Sequence, residues 1–282
     1  MVYRLITLPM CLMICIGVFA CTATPKYNFP QGTRVGIINL LESHVTHQNF
    51  SSFATKNFTR TYEIAWDIPA YAENQLITQL KKNSRFTVVK IKMTEPHTEK
   101  TLRAKMIEQV LLSQSSPPAI PPQGAGLLDT LSQHHNVQVV IVIGSYSGPS
   151  PYRSGETQIQ VEGYGLFTRK LFSGKLGSIF DGLISFRKAY AYAQIGVVVY
   201  RVQPVTYLAA ARAIRKGRPL RPVNDFNWDA NIRNLPATEL NKTKHPIEEY
   251  INGAIKRALQ NANLTHSRPP REDTGIGGAP SR

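Results

Sequence analysis

The sequence predicts a mixed α/β fold, classed as α/β or α+β. The N-terminal half predicts a mostly parallel α/β layer, because short apolar runs alternate there with helical patterns up to residue 144. An antiparallel β extension is expected next, because residues 157–170 and 188–202 form two long β-prone segments. A C-terminal helix is expected over 246–261, where apolar residues recur with a period of 3.6.

The first elements follow from local patterns. Residues 34–41 are a short apolar run after a glycine, which is typical of a buried strand. Residues 42–62 are polar, and extended pieces are expected around 50–53 and 62–66. Asp67 is the expected N-cap of a helix that continues to about residue 83. The buried stripe of this helix has i+4 spacing and consists of Ile68, Ala72, Leu76 and Leu80.

The alternation then continues. Residues 86–92 predict a second strand, and Thr98 is a candidate cap for a helix that runs to about residue 114. A proline-rich connector and a short helix near Leu128 precede residues 137–144, the clearest buried strand in the chain. The order strand, helix, strand, helix, helix, strand favours a largely parallel sheet.

After residue 144 the alternation of predicted strands and helices ends. The two β-prone segments flank residues 171–186, which are rich in Gly, Phe, Leu and Ile, and a helix is expected over 205–215. We therefore expect one α/β globular domain over 32–262, with a candidate subdivision near 145. Residues 263–282 contain several Pro and Gly residues and predict a disordered tail.

The N-terminus carries a short apolar segment that ends in Val18-Phe19-Ala20-Cys21, after a single basic residue, Arg4. This segment resembles the lipobox of bacterial lipoproteins. The resemblance implies a signal peptide over 1–20, lipidation of Cys21 with diacylglycerol and an amide-linked acyl chain, and a tether over 21–31. No Asp follows the cysteine, which resembles the outer-membrane sorting default of this class. A plain secreted protein and a retained anchor are the alternatives.

The charge and cysteine content of the chain limit the classes of partner and ligand that it is expected to bind. The chain has 33 basic and 18 acidic residues, so its formal net charge is +15. This charge suits anionic lipid, acidic envelope polymers or acidic proteins, whereas an exported protein is not expected to bind nucleic acid. No cysteine follows position 21, so disulfides and thiolate metal ligands are not expected in the domain. The basic residues are scattered in small groups, and a solvated basic surface is the simplest interpretation.

The sequence contains partial matches to catalytic and cofactor-binding motifs, but each match lacks essential residues. Residues 144–148 follow a strand, but Tyr146 stands where a nucleophile elbow needs serine. Gly174-Lys175 lacks the remaining residues of a phosphate-binding loop. Asp181, Asp225 and Asp229 are acids that the sequence gives no reason to pair. We therefore expect no catalytic residues, no cofactor and no enzymatic activity.

The histidine and tryptophan residues are candidate metal ligands or partner contacts. His44 with His47, and His134 with His135, are isolated pairs with too few neighbouring ligands for zinc, so solvated loop histidines are expected and no metal site. Trp66 should pack in the core beside the first helix. Trp228 lies in a polar context and is a candidate partner contact.

In layout, residues 32–144 resemble the N-terminal α/β domains of the Tol-system propeller protein and the curli-secretion lipoprotein. The matching elements are the strand 35–40, the amphipathic helix after Asp67 and the strand 86–91. The curli-secretion resemblance implies that residues 157–170 and 188–202 are membrane-spanning hairpin strands of an oligomeric pore. An antiparallel extension of a soluble sheet is the alternative and the favoured interpretation.

These observations together predict a non-catalytic, lipid-anchored protein of the bacterial outer membrane that faces the periplasm. It would act as a structural or assembly component with other envelope proteins, for example in a secretion-system core, and oligomerisation stays open. The alternative is a binding module for peptidoglycan or another anionic envelope polymer. A cell-wall enzyme is the third interpretation.

Overall fold

The computed structural model describes residues 27–51, 57–113, 117–149, 160–173, 184–214, 220–228 and 231–265. Cys21, the predicted signal peptide, Asp181, Asp229 and residues 266–282 of the predicted tail lie outside these ranges. The described chain has the mixed α/β fold that the sequence predicts, with one curled mixed sheet and helices packed against both of its faces.

The described elements have the following bounds. The strands are β1 (Thr33–Leu40), β2 (His44–Ser51), β3 (Phe58–Glu63), β4 (Phe86–Ile91), β5 (Val139–Ser145), β6 (Gly148–Pro149), β7 (Gln160–Val161), β8 (Gly163–Ser173), β9 (Ile184–Val202), β10 (Val205–Arg212) and β11 (Arg221–Pro222). The helices are α1 (Ile68–Lys81), α2 (Pro96–Leu102), α3 (Gln109–Leu112), α4 (Pro122–His135), α5 (Ala237–Asn241) and α6 (Lys244–Asn261). A π-helical segment, Arg103–Glu108, joins α2 to α3.

The long strand β9 organises the main sheet. Its residues 195–201 pair antiparallel with β5 and its residues 184–194 pair antiparallel with β8, so β5 and β8 lie end to end along β9. The strands β1 and β2 repeat this arrangement one position further out, parallel to β5 and β8. The outer strands are β4 beside β1 and β3 beside β2, while β10 and β11 pair with β9.

Helices cover the two faces of the sheet unequally. The face that carries Val35 and Ile141 packs against α1 and α6. The opposite face carries Ile38 and Val142 and packs against the α2–α3 region and α4. Since side chains alternate along a strand, β1 and β5 are buried on both faces, which explains their near-continuous apolar sequences. The face that carries Ile38 and Val142 continues along β2 and β3, where it includes an open polar area.

Several predicted elements are confirmed. Asp67 caps α1 and accepts a hydrogen bond from the Ala70 amide at 3.0 Å, and the four predicted stripe residues are buried. The parallel arrangement of β4, β1 and β5 agrees with the predicted α/β layer. Residues 188–202 belong to β9, where they form the antiparallel extension between β5, β8, β10 and β11.

Three local predictions were wrong. The helix expected over 205–215 is the strand β10, because pairing with β9 and packing of Ala209 and Ala211 under α6 outweigh the helix propensity of an alanine-rich run. The helix expected to be capped by Thr98 begins at Pro96. The extended pieces expected around 50–53 and 62–66 are the longer strands β2 and β3, which begin and end elsewhere.

No helix in the described ranges is both long and apolar enough to cross a membrane.

Candidate functional site

A polar cleft of about 410 Å³ opens where β1 passes into β2 and where β5 ends. Glu42 and His44 line it beside β1, and Ser145 and Ser147 line it beside β5. In α/β sheets the carboxyl ends of parallel strands are the usual place for ligands. The rest of the described lining is mostly hydroxyl and amide side chains, namely Thr46, Gln48, Thr59, Thr61, Gln160, Val161, Glu162, Gly163 and Tyr164.

Glu42 is held in place at the rim of this cleft by His44 and Arg103. Its carboxylate lies 3.0 Å from His44 Nε2 and also pairs with the Arg103 guanidinium. Arg103 donates to the Leu40 carbonyl oxygen at 2.9 Å and pairs with Glu99 at 3.0 Å. The arginine is the first residue of the π-helical segment, and such segments often occur at functional sites. The Glu42 carboxylate is therefore fixed in position at the rim.

The floor of the cleft can accept and donate hydrogen bonds. The register of β2 and β3 sets Thr46 opposite Thr61 and Gln48 opposite Thr59. Within the part of the chain that the structure describes, the buried Gln48 Oε1 has no hydrogen-bond partner. A buried acceptor without a donor is unfavourable, so a ligand hydroxyl or N–H at this position would stabilise it. Burial raises the pKa of Tyr164, whose hydroxyl donates to the Glu42 carbonyl oxygen at 2.6 Å.

His47 lies on the other face of β2 and is fully buried. Its Nε2 is 2.7 Å from Thr168 Oγ1, which in turn donates to Asn49 Oδ1 at 2.9 Å. Burial lowers the pKa of His47 to about 4, so this side chain is neutral near pH 7. The expectation of a solvated loop histidine was therefore wrong for His47, because polar β2 is an interior strand of the sheet. The ring stacks edge-on against Phe58, with centroids 5.0 Å apart.

The histidine pair at the end of α4 lies apart from the polar cleft. His134 and His135 contact each other at the end of α4, with ring centroids 4.8 Å apart. Among the residues that the structure describes, no group of three or more His, Cys, Asp or Glu side chains could hold a metal ion.

Four basic residues lie in register on β8 and β9. The register sets Arg169 opposite Lys188 and Lys170 opposite Arg187; we call these the basic cross-strand pairs. Arg187 and Lys188 are exposed, and they lie on opposite faces because successive strand residues alternate. The pairing of β2 with β8 ends at Phe50–Arg169 and Ser51–Lys170, so the basic pairs lie beside the last residues of β2. Like charges directly opposite each other destabilise a sheet.

The sequence contained a signal for these pairs. Arg169-Lys170 and Arg187-Lys188 are placed symmetrically about the Gly-containing segment between them, which is the pattern that a hairpin would bring into register. Gln48 and Arg103 had no comparable signal, because the interactions of Arg103 with Glu42 and of β2 with β8 join residues that are far apart in the sequence.

The remaining predicted residues are placed as follows. Trp66 is buried as expected, and its Nε1 donates to Asn241 Oδ1 at 2.5 Å. Trp228 is half-buried, packs edge-on against Phe226 with centroids 4.9 Å apart, and borders the core cluster under α1 and α6. Its role as a partner contact stays a prediction. Tyr146, at the centre of the tested elbow pattern, is buried.

No protein-family model and no curated protein matches this chain. Among the solved structures that are similar to it, two have 10% sequence identity. The hypothetical protein CT253 from Chlamydia trachomatis has a TM-score of 0.25, with 79% of this chain and 98% of that chain covered. Protein XCC0632 from Xanthomonas campestris, described as DUF330, has a TM-score of 0.30, with 86% and 95% covered. Such TM-scores are too low to carry an argument about function.

Proposed function

We propose that this protein is a non-catalytic, lipid-anchored envelope component that holds a partner-binding hairpin away from its anchoring membrane. One observation carries the proposal: the tether and the basic cross-strand pairs lie at opposite ends of β9. The first described residue, Tyr27, lies under the Arg201 guanidinium, which is 4.8 Å from its ring centroid. Arg201 and Arg187 are 14 residues apart in β9, or about 45 Å at 3.3 Å per residue.

The tether is short compared with this separation. Cys21 precedes Tyr27 by six residues, which span about 20 Å when fully extended. Asn263 Nδ2 donates to the Tyr27 carbonyl oxygen at 3.1 Å and fixes the point where the tether meets the domain. A lipid on Cys21 would therefore keep one end of the protein at the membrane. The basic cross-strand pairs would face the periplasm at the other end.

The basic cross-strand pairs suit a protein partner with an acidic surface. Arg187 and Lys188 are exposed, and an opposing acidic surface would be complementary to their charge and would select the partner. This arrangement supports a structural or assembly role in an outer-membrane complex, such as a secretion-system core.

The partner contact is tested by neutralising Arg187 and Lys188 together, as Arg187→Gln with Lys188→Gln. The melting temperature should stay within about 2 °C of the wild-type value, because both side chains are exposed. The detergent-extracted native protein should elute from a sizing column as a complex, and the double variant as a monomer. The matched control is Lys82→Gln with Lys256→Gln, which should stay in the complex. A wild-type protein that elutes as a monomer, or a double variant that stays assembled, would contradict the proposal.

The anchor is tested by Cys21→Ser. The variant should lose membrane retention in cell fractionation and should keep the wild-type melting temperature, because Cys21 precedes the folded part of the chain. A variant that still sediments with outer membranes would show that protein contacts suffice for retention or that the lipobox interpretation is wrong.

A second candidate function is binding of an envelope polymer such as peptidoglycan. The polar cleft favours it, because hydroxyl and amide side chains and the unpaired Gln48 oxygen suit a sugar or peptide ligand. Sedimentation with purified sacculi distinguishes the two functions. A polymer-binding module should sediment with purified sacculi and lose this binding on Gln48→Leu, whereas an assembly component should stay in the supernatant and retain its protein complex.

A further inference from the structure

We propose that the end of the protein beside Tyr27 binds the phosphate groups of anionic phospholipids directly. The contact consists of Lys82, Arg85 and Lys256, together with the Thr265 hydroxyl, and we call it the tether-end surface. The inference rests on the proposed lipid anchor for its orientation, because that anchor would bring this end within reach of a bilayer.

The tether-end surface is built from two adjoining clefts. The larger, of about 390 Å³, lies between the C-terminal parts of α1 and α6 and is lined by Lys82, Lys256 and Thr265 with amide side chains. The smaller, of about 210 Å³, is lined by Arg85 and by Asn28 and Phe29 of the tether. Asn83 and Thr265 line both clefts, so the two form one continuous surface. No described residue that lines either cleft is acidic.

The hydrogen-bonding groups of this surface match a phosphodiester. Lysine and arginine offer charged donors, and the amide groups of Gln79 and Gln260 add neutral ones. Thr265 Oγ1 is buried and has no hydrogen-bond partner among the described residues. A phosphate oxygen in the larger cleft would accept from this hydroxyl as well as from the lysines. Lys82, Arg85 and Lys256 are exposed and can reach such a group.

Helix termini offer a competing explanation for part of this charge. Lys82 follows the last residue of α1, and Lys256 lies near the end of α6, where cations stabilise the negative end of the helix dipole. Arg85 lies in neither helix, so the dipole does not explain it. The dipole also does not explain why three exposed cations surround the site where the tether meets the domain. The two explanations differ in outcome, because a purely structural role requires no affinity for lipid.

The position of the tether favours lipid over free phosphate. Cys21 is within about 20 Å of Tyr27, so a lipidated protein would present this surface to head groups at very high local concentration. Each basic side chain near an anionic membrane surface raises partitioning about fivefold. Three such residues would therefore contribute about a hundredfold, which would fix the orientation of the domain on its membrane.

The test uses purified Cys21→Ser protein, which carries no lipid, and flotation with vesicles. Binding should be clear with vesicles of phosphatidylcholine and phosphatidylglycerol and weak with phosphatidylcholine alone. The triple variant Lys82→Gln, Arg85→Gln and Lys256→Gln should bind the anionic vesicles about a hundredfold more weakly. Thr265→Val should also weaken binding, although it removes no charge.

The matched control is Lys92→Gln, Lys100→Gln and Lys105→Gln, which removes the same number of charges near the C-terminal ends of β1 and β4 and should bind like the parent. Equal losses in both triple variants would overturn the proposal in favour of non-specific net-charge attraction. Equal binding to both vesicle types would overturn it as well. Loss of vesicle binding in millimolar inorganic phosphate at constant ionic strength would assign the surface to free phosphate instead. None of these outcomes depends on lipidation of Cys21. If the lipid-anchor proposal were wrong, only the fractionation experiment with Cys21→Ser would reveal it.

Discussion

Gly165→Ala should lower the free energy of unfolding by about 3 kcal/mol or more. Gly165 pairs with Thr46 where β2 and β8 run side by side. A Cβ atom at this glycine would lie 1.9 Å from the Thr46 carbonyl oxygen and 2.8 Å from its carbonyl carbon. The obstacle is backbone in an interior strand, so no side-chain rotation can relieve the clash. The two strands would have to separate at this pair.

Denaturant unfolding followed by circular dichroism measures this loss. Gly126→Ala is the matched control, because a Cβ at Gly126 of α4 meets no atom within 4 Å and alanine favours the helix. The control should keep or slightly increase the free energy of unfolding. Separation of β2 from β8 would also disturb the basic cross-strand pairs, so Gly165→Ala should release the protein from its complex. Wild-type stability in Gly165→Ala would contradict the described pairing of β2 with β8.

The predicted elements were those whose signals are local. Asp67 as N-cap and the i+4 apolar stripe identified α1, and continuous apolar runs identified β1 and β5, because these signals lie within about a dozen residues. The strand β10 was missed since its alanines favour a helix locally and become strand residues only by pairing with β9. The strand β2 was placed incorrectly because His, Thr, Gln and Asn give no apolar alternation.

The candidate site was less predictable than the fold. The carboxylate of Glu42 contacts Arg103, which lies 61 positions later in the chain at the start of the π-helical segment. The network of His47 depends on Thr168, 121 positions away. Such contacts arise from the order of strands in the sheet. A single sequence shows which residues could interact, but the strand order decides which ones do.

The buried His47 should make the free energy of unfolding depend on pH between about pH 6.5 and pH 4. Its pKa is lowered from 6.5 to about 4 by burial. Between these values the unfolded chain binds a proton that the folded protein does not bind, so acidification favours unfolding. The neutral side chain contributes its full stability above pH 6.5, and about 3 kcal/mol of this is lost by pH 4.

A pair of histidine variants isolates this effect from the titration of carboxylates. Urea unfolding at pH 7.5 and pH 4.5 should show a larger loss of stability for the wild type than for His47→Gln, which retains an amide near Thr168 but cannot take up the proton. His97→Gln should lose as much as the wild type, because His97 is an exposed residue of α2. An equal loss in His47→Gln and the wild type would mean that His47 is hydrated or protonated in the folded protein. In that case β2 would not be the buried strand that separates the polar cleft from the core.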